Sequence, residues 1–118
     1  MRLLSVYGTW QRLLPHVPKL VRYSLCIRID LLICEVIERT SEAQFSALSE
    51  RHRIIRTAIT KNDTLKFMLY VLYEMEGIPE SSYLLLATEF EEIGRMLYGW
   101  VQNTASQEEK KPHPALSK

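Results

Sequence analysis

The chain has 118 residues, 15 Lys and Arg against 14 Asp and Glu, a formal net charge of +1 and two cysteines. That length makes one domain able to bury a core without disulfide or metal staples. No run approaches the ~20 apolar residues of a membrane span, and residues 1–14 are too interrupted by Arg2, Gly8, Gln11 and Arg12 to read as a secretory leader, so a soluble, cytoplasmic protein with no membrane partner is expected.

The small net charge hides a split. Residues 1–66 hold eleven Lys and Arg against six acids, and residues 67–118 hold four against eight. A basic part suits nucleic acid or an acidic protein, and an acidic part suits contact between subunits. Cys26 and Cys34 stand eight apart on one predicted helix, about 12 Å at 1.5 Å per residue, beyond the roughly 7 Å that a disulfide spans. Two free thiols are expected.

In residues 3–14, Leu3, Val6, Tyr7, Trp10, Leu13 and Leu14 recur at spacings of three and four and predict a short helix. Pro15 to Pro18 end it at a tight corner, and Pro18 suits the first turn of the next helix.

Residues 18–39 read as the long central helix. Ser24, Arg28, Glu35, Glu38 and Arg39 form its polar stripe, while apolar residues from Val21 to Ile37 sweep roughly 240° of its surface at 100° per residue. One core needs a stripe of a little over about 100°, so the excess predicts that bundles associate through this helix, with Leu25, Ile29, Leu32 and Val36 at the interface. Arg22 and Asp30 sit inside the apolar sweep and must pair, snorkel or face another surface.

A break is expected between Thr40 and Ser49, where residues 41–44 fit a capping box. A third helix follows over residues 51–76, with Ile54, Ile55, Ala58, Leu65, Leu69 and Leu72 on one side. Its weak point is residues 61–64, Lys-Asn-Asp-Thr, because Asn and Asp favour turns, and two shorter helices broken there are the alternative. Gly77 to Ser81 stop this helix and start the next.

The fourth helix, residues 82–103, buries Tyr83, Leu86, Phe90, Ile93, Leu97 and Trp100, places Gly94 where another helix can approach closely, and offers Glu91 and Arg95 as an i,i+4 pair. Residues 105–118 turn to Gln, Glu, Lys, Pro and Ser with no period and predict a disordered tail. The expected fold is thus all-α, an up-and-down antiparallel four-helix bundle over residues 1–104.

Little points to catalysis. None of His16, His52 and His113 follows a Glu by three, as bundle metal sites require. No Gly-rich phosphate loop and no nucleophile beside a His base are present. Neither metal nor cofactor is expected. The basic residues are the more useful set: Lys19, Arg22 and Arg28 on the second helix with Arg51, Arg53, Arg56, Lys61 and Lys66 on the third make a positive strip if those helices are neighbours.

Taken together, Tyr7 and Trp10, Pro18-Lys19, Arg22-Tyr23-Ser24-Leu25, Ile29-Asp30, Leu65-Lys66-Phe67 and the run from Glu92 to Trp100, EIGRMLYGW, resemble the Avd family, the accessory variability determinants of diversity-generating retroelements. The resemblance implies a four-helix bundle assembled as a homopentameric barrel with a basic surface. It also implies binding to a reverse transcriptase and to RNA or DNA in support of mutagenic cDNA synthesis and retrohoming, with no catalytic activity of its own. Lys19, Arg22, Lys66 and Arg95, the charged members of the matched pieces, would hold nucleic acid or polymerase. Cys26 stands where the family often has Gly, Tyr98 where it has a small residue, and Tyr70 where it commonly has Arg. The chain also resembles, less closely, the bundle proteins of rRNA intervening sequences, which implies a structural protein with no polymerase partner.

Overall fold

A computed structural model describes residues 2–110, with side chains through Ser106; among these residues every regular element is helical. Helix α1, Arg2–Leu13, buries Leu3, Val6 and Trp10. A 3-10 turn, Leu14–His16, and the buried Val17 make the proline corner. Helix α2, Lys19–Arg22, is a single turn, and α3, Leu25–Gln44, follows it. Helices α4, Leu48–Glu74, and α5, Glu80–Lys110, complete the chain.

The central helix predicted over residues 18–39 is therefore two pieces. Ser24, with φ −121° and ψ −80°, leaves helical geometry, and its Oγ donates toward the carbonyls of Leu20 at 3.1 Å and Val21 at 3.4 Å. A serine hydroxyl that takes up the preceding turn's carbonyls offers the backbone an alternative to the helical ladder. At its other end α3 passes through Thr40 and Ser41 to Gln44, so the capping box lies inside the helix, and the break falls at residues 45–47. Arg51 closes that corner, donating from Nε to the Ala43 carbonyl at 2.9 Å and from Nη2 to the Ser46 carbonyl at 3.0 Å. A cation at a helix C-terminus also meets the negative end of the helix dipole.

Helix α4 runs unbroken through residues 61–64. Asn62 is fully buried and its Nδ2 donates to the Phe90 carbonyl of α5 at 2.9 Å. Asp63 lies 3.5 Å from Lys66 Nζ, and Thr64 Oγ1 donates to the Thr60 carbonyl. Each local turn-former thus has a contact compatible with the helix, although Asn62 Oδ1 is buried without a hydrogen-bond partner among the described residues. Gly94 leaves room for the Asn62 contact, since a Cβ there would stand 3.3 Å from Nδ2 and the amide would have to give slightly.

The end of α4 is a Schellman motif: Gly77 N–H donates to the Leu72 carbonyl and Glu76 N–H to the Tyr73 carbonyl, both at 2.9 Å. The left-handed position belongs to Glu76, φ 60°, not to the glycine beside it. Gly77 serves a different need, because a Cβ there would overlap Leu72 Cδ1. Helix α5 continues through residues 105–110, which were expected in the tail; residues 111–118 lie outside the described residues.

Helix α3 packs on α4, α4 on α5, and α1 on α5. Trp10 Nε1 donates to Asp30 Oδ1 at 3.1 Å and joins α1 to α3. The cyclic order is therefore α1, α3, α4, α5 with alternating direction, an up-and-down bundle of four helices packed against one another. Trp10, Ile29, Leu32, Ile33, Ile55, Leu65, Leu69, Leu72, Leu86 and Phe90 fill its centre. No helix of the described residues is long and apolar enough to cross a membrane.

Candidate nucleic-acid interface

The nine basic residues singled out from the sequence do not form one strip. Lys61 Nζ lies 2.8 Å from Glu35 Oε2, which fixes the flanks along which α3 and α4 meet. On α3, Arg28, Glu35, Arg39 and Glu42 recur at spacings of seven, four and three and share that flank; on α4, Arg53, Thr57, Lys61 and Thr64 recur at four, four and three. Arg56 and Thr60 stand on the outward side next to them. Arg28, Arg53 and Lys61 thus lie along the α3–α4 face, and Arg39, which sequence reasoning left in a polar stripe, joins them; Arg56 stands at its margin, on the outward side of α4 in line with Asp63 and Tyr70.

Carboxylates partly neutralise this face. Arg53 Nη2 is 2.8 Å from Glu50 and Arg39 Nε is 2.8 Å from Glu42. Arg28 and Arg56 are exposed and have no ion pair among the described residues. Thr57, Thr60 and Thr64 each donate their hydroxyl to the carbonyl four residues back, at 3.1–3.2 Å. Their protons are thus occupied, and the donors available to a phosphate are the guanidinium and ammonium groups.

The other predicted cations lie elsewhere. Lys66 and Arg95 belong to the α4–α5 side, where Lys66 Nζ is 3.1 Å from Glu91 and Arg95 Nη1 is 3.0 Å from Glu92. The expected Glu91–Arg95 pair is replaced by these two. Arg51 is spent on the α3–α4 corner. Lys19 and Arg22 lie on α2, at the end of the bundle near the proline corner. Arg22 lines a groove of about 400 Å³ with Gln11, Leu14, Tyr23, Cys26, Ile27, Asp30 and Leu31. Its Nε is buried there without a hydrogen-bond partner among the described residues.

The predicted interface residues are corrected by burial. Ile29, Leu32 and Val36 are fully buried inside the chain's own core, and Leu25 is packed against it. These side chains face α1 and α4, because the core takes the most apolar part of the helix first. The excess that the core leaves uncovered is Leu20, Tyr23, Ile27 and Leu31, between 51% and 88% exposed.

Asp30 is absorbed within the bundle, accepting from Trp10 Nε1 and, at 2.9 Å, from Gln11 Nε2. Beside it, partial burial raises the Tyr7 phenol to about 12, helped by hydrogen bonding to Cys34 and then Asp30. Cys26 and Cys34 are both free, and burial pushes the Cys26 thiol up, away from thiolate chemistry. Among the described residues no three His, Cys, Asp or Glu side chains converge as a metal site would require.

No protein-family model, curated protein or solved structure matches the chain.

Proposed function

We propose that this chain is a non-catalytic, self-associating accessory protein that holds RNA or DNA on its α3–α4 face and works beside a reverse transcriptase, as the likeness of its motifs to the Avd family implies. The observation that carries the reading is the line of Arg28, Arg39, Arg53 and Lys61 along one side of two packed helices, with Arg56 at its margin and with Arg28 and Arg56 in no ion pair among the described residues. Phosphate contacts require charge and reach, and they position a strand without reading its bases. Such a face therefore suits a protein that presents a template to a polymerase and leaves sequence to base pairing.

A second reading, a structural bundle with no polymerase partner, is favoured by the pairing of Arg53, Lys61, Lys66 and Arg95 with carboxylates. The gene's neighbours separate the two: an adjoining reverse-transcriptase gene with paired template and variable repeats belongs to the first only.

The biochemical test is fluorescence anisotropy with a labelled 30-nucleotide RNA and the DNA of the same sequence. Neutralising three or four phosphates gives a log–log salt slope of about −2 to −3 for single strands. Affinity should therefore fall roughly 15- to 60-fold between 50 and 200 mM salt. Absence of binding at 50 mM salt would remove nucleic acid from the reading.

A further inference from the structure

The outward side of α4 carries a strip that the proposed nucleic-acid face does not use. Asp63, Phe67, Tyr70 and Glu74 recur at spacings of four, three and four, so they share one side of the helix over about 16 Å at 1.5 Å per residue. All four are exposed, Phe67 to 65% and Tyr70 to 45%. Their rings belong to a row. Phe67 and Tyr70 have centroids 6.5 Å apart, Tyr70 and Tyr83 6.3 Å, and Tyr83 stacks on Tyr73 at 4.8 Å. Tyr70 hydrogen-bonds to Glu74, and Tyr73 Oη donates to Glu80 at 3.2 Å. The exposed pair is thus backed by a half-buried pair and held by its own phenols, which lowers the cost of ordering on binding.

The row lies between carboxylates. Glu74 forms no ion pair among the described residues. Asp63 is 3.5 Å from Lys66 Nζ, which sits closer to Glu91, at 3.1 Å. On its other side Glu74 borders the corner pocket of His16 and Pro18, where Glu76 and Glu80 outnumber the neighbouring Lys19. Arg56, seven residues before Asp63 on the same line, bounds the strip.

We infer that this strip docks an arginine-bearing segment of another protein. Two independent features favour a cation, since aromatic faces attract one through the ring quadrupole and carboxylates through charge. Arginine serves both, because its guanidinium is planar, stacks on rings and pairs with a carboxylate in a fork. Phosphates would be repelled at both ends of the row, so bases of a nucleic acid are the poorer occupant. The strip is a helix exterior rather than an enclosed cavity, which suits a polypeptide segment over a small cation. It is separate from the α3–α4 face, and its occupancy does not depend on nucleic acid there.

The test is fluorescence anisotropy at 100 mM salt with a labelled twelve-residue peptide of four Arg spaced by Gly and Ser, and the same peptide with Lys in place of Arg. The arginine peptide should bind below about 200 µM, and several-fold more tightly than the lysine peptide, whose ammonium is a hydrated point charge without the planar fork. Phe67→Ala/Tyr70→Ala should weaken arginine-peptide binding roughly 5- to 30-fold, the scale of two exposed cation–ring contacts. Asp63→Asn/Glu74→Gln, which leaves both rings in place, should weaken it by at least about threefold. Circular dichroism checks that both variants fold; their substitutions fall on exposed positions. No binding of the arginine peptide, equal binding of the two peptides, or wild-type affinity in either folded variant would overturn the inference. Loss of RNA binding or of self-association in Phe67→Ala/Tyr70→Ala, from a wild type that ignores the arginine peptide, would give the strip to nucleic acid or to a second copy and overturn it as well.

Discussion

At Glu76 and Gly77 two neighbouring residues carry two different backbone problems. Glu76 adopts φ 60° without being glycine, a conformation that costs an L-residue about 1–2 kcal/mol. Glu76→Gly should therefore raise unfolding stability by roughly 0.5–1 kcal/mol, after the larger chain entropy glycine loses on folding. Gly77→Ala should lower it by about 1–3 kcal/mol, because the new methyl meets the fully buried Leu72 and overpacked cores respond on that scale. Urea denaturation of both variants checks the pair, and a neutral Gly77→Ala would show that Leu72 can yield. Tyr7 supplies a pH prediction. Its phenol is raised from 10.0 to about 12 in the folded chain, so between those values the folded state holds the proton that the unfolded state loses, and stability falls as pH rises through the window. Tyr7→Phe should flatten the alkaline slope measured by urea midpoints from pH 9.5 to 11.5. Part of the slope should remain, since hydrogen bonds to Glu74 and Glu80 also raise Tyr70 and Tyr73.

Among the elements, α4 shows why a local reading of its weakest stretch stays open. Residues 61–64 carry turn-forming side chains, and nothing within ten residues says that Asn62 will be buried against α5 and bonded to a carbonyl 28 positions away. The helix is continuous because the Nδ2 bond to α5 holds the side chain away from its own backbone, leaving Oδ1 buried without a hydrogen-bond partner among the described residues. The facing Gly94 makes this testable. Ala is the better helix former by about 1 kcal/mol, but in the wild-type background its methyl would press on Asn62 Nδ2. Gly94→Ala should thus gain little or lose stability alone, and should stabilise by about 1 kcal/mol in an Asn62→Ala background. Equal effects in the two backgrounds would deny the coupling. The central helix went the other way: its periodicity was plain, but Ser24 in a helical pattern does not reveal that its hydroxyl will take the Leu20 and Val21 carbonyls and divide the helix in two. The two later helices were legible because Leu and Ile recur at helical spacing and because Gly77 and the prolines punctuate the chain.

For the whole molecule, the distribution of charge matters more than its sum of +1. The basic first part and acidic second part of the sequence meet in the fold, Arg2 against Glu89 and Lys66 against Glu91, and packing decides which cations stay out of ion pairs among the described residues. Lys66 and Arg95 looked equivalent to Arg28 and Arg56 as residues, and the fold sets the first two against Glu91 and Glu92 while the second two form no ion pair among the described residues. Excess apolar surface on the central helix was legible; its location was not, since Ile29, Leu32 and Val36 were consumed by the core and Leu20, Ile27 and Leu31 were left outside. The proposed function depends above all on the α3–α4 face being the one that meets nucleic acid. The most direct test compares Arg28→Glu/Arg56→Glu with Lys66→Glu/Arg95→Glu, two double variants with the same change in net charge, by anisotropy on one labelled RNA at 100 mM salt. The first pair should weaken binding by at least about tenfold and reduce the salt slope by about 1.4, since each position would no longer neutralise its phosphate, while the second should stay within about threefold of wild type. Equal losses from both pairs, or a larger loss from the second, would contradict the assignment of the face.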